Sequence, residues 1–347
     1  MFSKNLTYFR LKNRMSKKDL AEKINVTPMA ITNYENGSRK PNMDILKALA
    51  AALGIKVSDF LTLRNQNLEF THAEFRKNSS LTKNQQDFIQ ESVEEYFGRF
   101  MTVVDLLGDA VLPDFPQCYS ISMSSDDEEN ARALRQHLGF ALDGPIEELI
   151  GKLENKGILI YLMEIESSKF SGRNGFVNGR PYIVLNKNMN AERNRSTLVH
   201  ELAHLMFEWP EGLENVEIEK RATAISGAFL FPKSDAIREL GICRKYISKD
   251  MVNVAIEYGI SMMLLVKRGE LCNIFSQSVA KDFYIKASTC GWRTNEPSRI
   301  PQEIPTLFRQ LVFRAVNEGE ISFQRGSELL KMPYDQVVEH CCFNNEV

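Results

Sequence analysis

Nowhere do the 347 residues approach eighteen consecutive apolar positions, so no segment reads as a membrane-spanning helix. The first residues also lack the apolar core of a secretory leader, and the chain is expected in the cytoplasm with no membrane partner. Cysteine is sparse. The six, at positions 118, 243, 272, 290, 341 and 342, show no Cys-x-x-Cys spacing, which argues against a disulfide framework and fits reduced thiols. His340-Cys341-Cys342 forms no metal site either, because three consecutive side chains diverge. Low-complexity stretches and internal repeats are absent too. With 43% hydrophobic and 25% charged residues the composition is that of a folded chain, and the length suits two or three domains.

Histidine is scarce as well, with five in all, yet two of them stand four apart in His200-Glu201-Leu202-Ala203-His204. The flanking Ser-Thr-Leu-Val and Leu-Met-Phe-Glu make the segment an amphipathic helix. Residues four apart share a helix face, so both imidazoles can converge on one cation with Glu201 beside it as a proton acceptor. A hydrolytic zinc site needs neutral nitrogen ligands, an open position and an adjacent base. A third ligand is expected downstream, where Ala222, Ile225, Phe229 and Leu230 recur at helical spacing. Glu219 precedes Ala222 by one turn on that stripe, and an inward carboxylate is costly unless paired or metal-bound, so Glu219 is the candidate, with Glu217 competing.

The strings STLVHELAHLMFE and EKRATAISGAFLFP resemble the ImmA/IrrE family of metallopeptidases. So do 147–163, 175–186 and the Arg193/Arg195 region. The resemblance implies an α+β zincin-like domain with a small sheet, His200, His204 and Glu219 on the metal, and Glu201 as the catalytic residue. It implies Zn2+, with Mn2+ as the other metal to consider, and cleavage of a helix-turn-helix repressor in stress response or mobile-element control. Two departures stand out: Ala203 replaces a usual Gly, and Thr223 stands where Asn or Asp is common. Thr223 can still hydrogen-bond a ligand His, less strongly than a carboxylate.

The other end of the chain is equally legible. Ser16 reads as an N-cap with Asp19 three residues on, and Leu20, Ala21 and Ile24 form an apolar stripe. Thr27 caps a second helix with Pro28 in its first position and Ile31 and Tyr34 inward. Two short helices joined by a tight turn are a helix-turn-helix, followed by Gly37, Pro41 and an amphipathic helix ending at Gly54. The stretch resembles the XRE family, of the Cro and lambda-repressor type, which implies an all-α domain binding a double-stranded DNA operator, with a homodimer as a possible assembly. The second helix would offer Thr27, Pro28, Met29, Thr32 and Asn33 to the DNA, with Lys17, Lys18, Arg39 and Lys40 on phosphates. Residues 1–61 hold eleven Lys or Arg against five Asp or Glu, whereas the whole chain is −2, so the basic character is local.

The expected organisation is a helix-turn-helix domain at 1–64, a linker and connecting helix at 65–110, the peptidase domain at 111–240 and a helical region at 241–347. The linker falls at 62–80, and a long helix from Thr82 to Leu107 reads as a connecting rod, a dimerisation element or, the favoured reading, a helix packed against the peptidase. The acidic run Asp126–Glu129 opens a helix, as the helix dipole favours. Strands are predicted at 157–165 and 181–186, with Asn178-Gly179 as a hairpin turn. Tyr182 and Val184 are candidates for a substrate-pairing edge strand, the alternative being an ordinary core strand. Tyr182 or Arg193 is the candidate for stabilising an oxyanion. Against the peptidase stands a second reading, a non-proteolytic or antitoxin-like DNA-binding regulator whose metal site is structural or sensory.

Overall fold

The computed structural model describes residues 2–61, 68–73, 81–292 and 295–343. Four helices open the chain: α1 (Phe2–Lys12), α2 (Lys17–Lys23), α3 (Pro28–Glu35) and α4 (Met43–Leu53). Their ends obey local chemistry. Ser16 and Asp19 form a reciprocal capping box, Thr27 Oγ accepts from Ala30 N–H, and Pro28 opens α3 where no intrahelical donor is needed. Asn25, at φ 56°, turns the chain between α2 and α3 in the left-handed conformation that Asn tolerates. Leu6, Leu20, Ala21, Ile31, Tyr34, Leu49, Leu53 and Phe60 close one core. Each large side chain there contributes about 1.5–3 kcal/mol by leaving water. One ion pair is buried beside it: Arg10 Nε donates to Glu35 Oε1 at 2.6 Å.

Strand β1 (Phe70–His72) lies inside the segment expected to be linker, and α5 (Lys83–Leu107) follows, capped by Thr82 and Gln85. Linker residues 62–67 and 74–80 lie outside the described residues. Next come β2 (Ile121–Ser122), α6 (Asp127–His137), α7 (Leu149–Glu154), β3 (Leu159–Met163), β4 (Gly172–Val177), β5 (Arg180–Asn186), α8 (Ala191–Met206), β6 (Phe207–Glu208) and α9 (Asn215–Leu230). The remainder is helical: α10 (Lys233–Leu240), α11 (Met251–Glu257), α12 (Met262–Leu271), α13 (Gln277–Thr289), α14 (Leu307–Asn317), α15 (Phe323–Leu330) and α16 (Tyr334–Cys341). The protein is thus a multidomain α+β chain, with a helical N-terminal domain followed by a small sheet and helices. Among the described residues, no helix is long and apolar enough to cross a membrane.

Contacts divide the chain into two units, Met1–Glu69 with Glu74–Val111 and Leu311–Val347, and Phe70–Ala73 with Leu112–Gln310. This departs from the expected boundaries in three ways. Helix α5 belongs to the first unit, where it packs on α1, with Lys4 Nζ 3.7 Å from Glu94, and it is no part of a linker. Residues 241–310 belong with the sheet, because Met251, Ala255, Leu265, Val266 and Ala280 complete the core around α8 and α9. Residues from 311 group with the first unit, in which Lys331 Nζ reaches Tyr8 Oη at 3.1 Å and Glu95 at 2.9 Å.

The second unit's sheet runs β1-β4-β5-β3, with β3 parallel to β5 and the other pairs antiparallel. Asn178 and Gly179, at φ 49° and 75°, make the two-residue turn between β4 and β5. Strand β5 is therefore interior, paired on both sides, and Tyr182 and Val184 are fully buried. That corrects the expected edge strand: both ladders of β5 are already used, so it has no free backbone to offer a substrate. On the face carrying Ile183 and Leu185 the sheet packs against Leu198, Val199, Leu202 and Leu205 of α8, which in turn meets Ala222, Ile225 and Phe229 of α9.

Candidate metal centre and nucleic-acid interface

Helix α8 buries one face in this core and turns His200 and His204 toward α9. Their Nε2 atoms lie 3.1 Å apart, and Glu219 reaches them with Oε2 at 3.2 Å from His200 and Oε1 at 3.5 Å from His204. One ligand atom from each of the three lies within 4.8 Å of the others, and among the described residues no other His, Cys, Asp and Glu group does so. The set fits a divalent cation quantitatively. Ligands about 2.0–2.1 Å from a tetrahedral metal stand about 3.3 Å from one another, which is the spacing seen. Glu217 is excluded from the cluster: it pairs with Lys220 at 3.6 Å on the exposed side of α9. Glu219 sits in the second turn of α9.

Hydrogen bonds around the cluster prepare it. Thr223 donates its hydroxyl proton to Glu219 O at 2.8 Å, so its oxygen is left to accept from His200 Nδ1 at 3.3 Å. That fixes the tautomer and leaves the Nε2 lone pair facing His204 and Glu219. Burial opposes ionisation of Glu219, but where the two imidazoles donate to it instead of facing a cation, their hydrogen bonds and charge outweigh burial and hold the carboxyl well below the usual range. Trp209 leans on His204, ring centroids 5.6 Å apart. Ala203 is fully buried in the core, a place where its methyl group is accommodated.

Glu201 is 7% exposed and accepts a hydrogen bond from Asn174 Nδ2 at 2.7 Å. Sequence reasoning missed Asn174. The signal was available, since Asn178-Gly179 fixes the hairpin register and puts Asn174 opposite Ile183 on the face that α8 covers. Gly172 lies on that face too, where a Cβ would come 3.5 Å from Glu201 Cγ. By the same alternation Tyr182, opposite Gly175, points to the other face of the sheet, away from α8. Neither oxyanion candidate stands at the cluster: Tyr182 pairs with His72, and Arg193, two turns before His200 and so about 10 Å away along the axis, donates to Ser171 Oγ. Arg195 is buried on Glu303 and the Ile146 carbonyl.

The helix-turn-helix presents a different kind of surface. Met29 is 66% exposed on α3, and Thr27, Pro28, Lys18, Arg39 and Lys40 are exposed as well. Thr32 and Asn33 are half-buried, and the Thr32 hydroxyl donates to Pro28 O within the helix. Lys17 is partly committed inward, 3.4 Å from the buried Glu35.

Residues 6–60 match the helix-turn-helix family model, and residues 153–269 match that of the IrrE N-terminal-like domain. The chain thus carries a DNA-binding-type domain of the XRE class and a peptidase-family domain of the ImmA/IrrE class. Among curated proteins it is 43% identical over 54 residues to multiprotein-bridging factor 1 of Candida glabrata, covering 16% of this chain and 36% of that protein. It is 44% identical over 48 residues to multiprotein-bridging factor 1 of Saccharomyces cerevisiae, covering 14% and 32%. The chain therefore spans about a third of the length of these relatives. No solved structure matches it.

Proposed function

We propose that this protein is a DNA-binding transcriptional regulator with a metal-dependent endopeptidase that cuts a repressor-type protein. The observation that carries the reading is the juxtaposition of two imidazoles and a carboxylate at metal-ligand spacing with a buried, amide-held Glu201 on the same helix. A cation held by His200, His204 and Glu219 would supply Lewis acidity to a water and to a peptide carbonyl, and Zn2+ suits this nitrogen-rich set better than Mn2+. Glu201 accepts the proton of the attacking water and returns it to the leaving amine. Asn174 immobilises Oε2 of that carboxylate, leaving Oε1 to exchange the proton. Thr223 holds His200 in the tautomer that presents Nε2.

The substrate class follows from the resemblance to peptidases that cleave helix-turn-helix repressors, and the fused domain would bring the peptidase to an operator where such a repressor sits. Elemental analysis of protein purified without chelators is the first test. About one metal per chain, lost in His204→Ala and in Glu219→Ala, supports the centre. No metal after reconstitution would overturn it and leave a DNA-binding regulator without proteolysis. The Glu201→Gln protein should keep its metal and lose cleavage; cleavage at the wild-type rate would end the peptidase reading.

A further inference from the structure

One edge of the second unit's sheet is covered by a piece of the same chain. Beyond β5, β4 pairs with β1 in the register Phe70↔Val177, Thr71↔Phe176 and His72↔Gly175. The ladder continues through Ala73 N–H to Asn174 O at 3.2 Å, and the Arg173 guanidinium donates to the Ala73 carbonyl at 2.8 Å. His72 Nδ1 and Tyr182 Oη are hydrogen-bonded at 2.5 Å. Position 175 must be glycine for the strand to approach, since a Cβ there would come 2.5 Å from the Thr71 carbonyl.

This edge runs past the proton acceptor. Asn174 takes Ala73 N–H on its carbonyl and gives its side-chain amide to Glu201, and Gly172 borders the Glu201 stem. An extended polypeptide added antiparallel along β4 would meet the same backbone donors and acceptors and lie beside Glu201. The present occupant is weakly embedded. Thr71 is exposed and Phe70, His72 and Ala73 are half-buried, whereas every β5 residue from Pro181 to Asn186 is buried. In sequence, the described residues before Phe70 and those from Leu81 to Val111 group with the first unit.

We infer that the outer edge of β4 is where this protein takes an extended segment of its protein substrate, and that Phe70–Ala73 occupies it as a built-in competitor. The inference deepens the peptidase reading and rests on it for the chemistry, though its test does not. While the strand is paired, substrate is excluded; when it leaves, the edge and Glu201 become accessible together.

The probe is a fluorescein-labelled hexapeptide, Leu-Glu-Phe-Thr-His-Ala, copied from residues 68–73 and titrated against the full chain. In Thr71→Pro/Ala73→Pro the internal strand loses backbone donors. If the edge is open about 1–10% of the time in the wild type, the variant should bind the peptide roughly 10–100-fold more tightly. Phe70→Gly/His72→Gly removes the side-chain anchors, keeps every donor, and should shift affinity in the same direction. Equal affinity for the wild type and both variants, or no binding to any, overturns the inference. Hydrogen exchange provides a readout in the wild type, should a variant fail to fold: millimolar peptide should accelerate exchange at residues 70–73, and unchanged exchange overturns the competition. Peptide capture without any bond cleaved would retain the edge and sink the peptidase; metal-dependent cleavage with no capture would do the reverse.

Discussion

The helix-turn-helix and the candidate metal centre place their candidate functional residues at opposite extremes of burial. On α3 the candidate base-reading side chain Met29 is 66% exposed, and Lys18, Arg39 and Lys40 are exposed too, so the core does not depend on burying them. At the candidate centre Glu201 and Asn174 are buried, 7% and 6% exposed, and His200 is held by Thr223, so the residues proposed for chemistry are also part of the packing. Recognition and folding are thus separable at one end of the chain and entangled at the other. Substitutions in the two regions should differ in kind.

The largest separation is expected at Glu201. Glu201→Gln should lower proteolysis by roughly 10²–10⁴-fold while operator affinity stays unchanged, checked by a cleavage assay beside a mobility-shift titration. The comparison breaks if DNA affinity falls with activity. Arg10 supplies the converse case, a helix-turn-helix residue that is buried. Arg10→Ala leaves the buried Glu35 carboxylate with Lys17 as its remaining cation and should cost about 1–3 kcal/mol in urea unfolding of the first unit.

A pH effect of similar size belongs to the second unit. Burial pushes the Glu154 carboxyl up to about 7, opposed by hydrogen bonds from Thr306 and Leu307 N–H. A raised carboxyl binds its proton more tightly when folded, so stability is fully present below about 4.5 and is lost as pH rises toward and through 7. Glu154→Gln should flatten that slope, by at most about 3 kcal/mol, in unfolding midpoints measured between pH 5 and 8. An equally steep slope in the variant would assign the titration elsewhere.

Smaller effects sharpen the exposed side. Lys18→Ala with Arg39→Ala should weaken operator binding and reduce the salt slope by about two counterions, with stability changed by less than about 0.5 kcal/mol. A stability loss above that would show these cations to be structural. Thr27→Ala should cost about 1 kcal/mol through the α3 cap, read by thermal unfolding.

Legibility in the sequence followed locality. The caps at Ser16 and Thr27, the turn at Asn178-Gly179 and the His200–His204 pair depend on residues within a turn of one another, and each appears in the structure as its spacing requires. Glu219 is singled out by the same kind of argument, because an acidic residue on an apolar helical stripe demands a partner, and its carboxylate stands beside both imidazoles. What stayed hidden was pairing across long separations. β1 looks like polar linker because three residues carry no periodicity, and its pairing partner lies about a hundred residues away. Without β1 and the complete β4 the sheet order is not legible, and β5 reads as an edge although it is interior.

That long separation also sets an order of assembly. The β4–β5 hairpin closes through two residues and α8 packs on α9 across a short connection, so the ligand cluster and Glu201 can form from local contacts. Phe70–His72 has nowhere to pair until that hairpin exists. Locality therefore predicts that during refolding the edge beside Glu201 is completed before it is covered, with an interval in which β4 is exposed. If Phe70–His72 is the competitor inferred above, the covered form would be the last product of folding, and a partner strand present in that interval would compete with the chain's own segment.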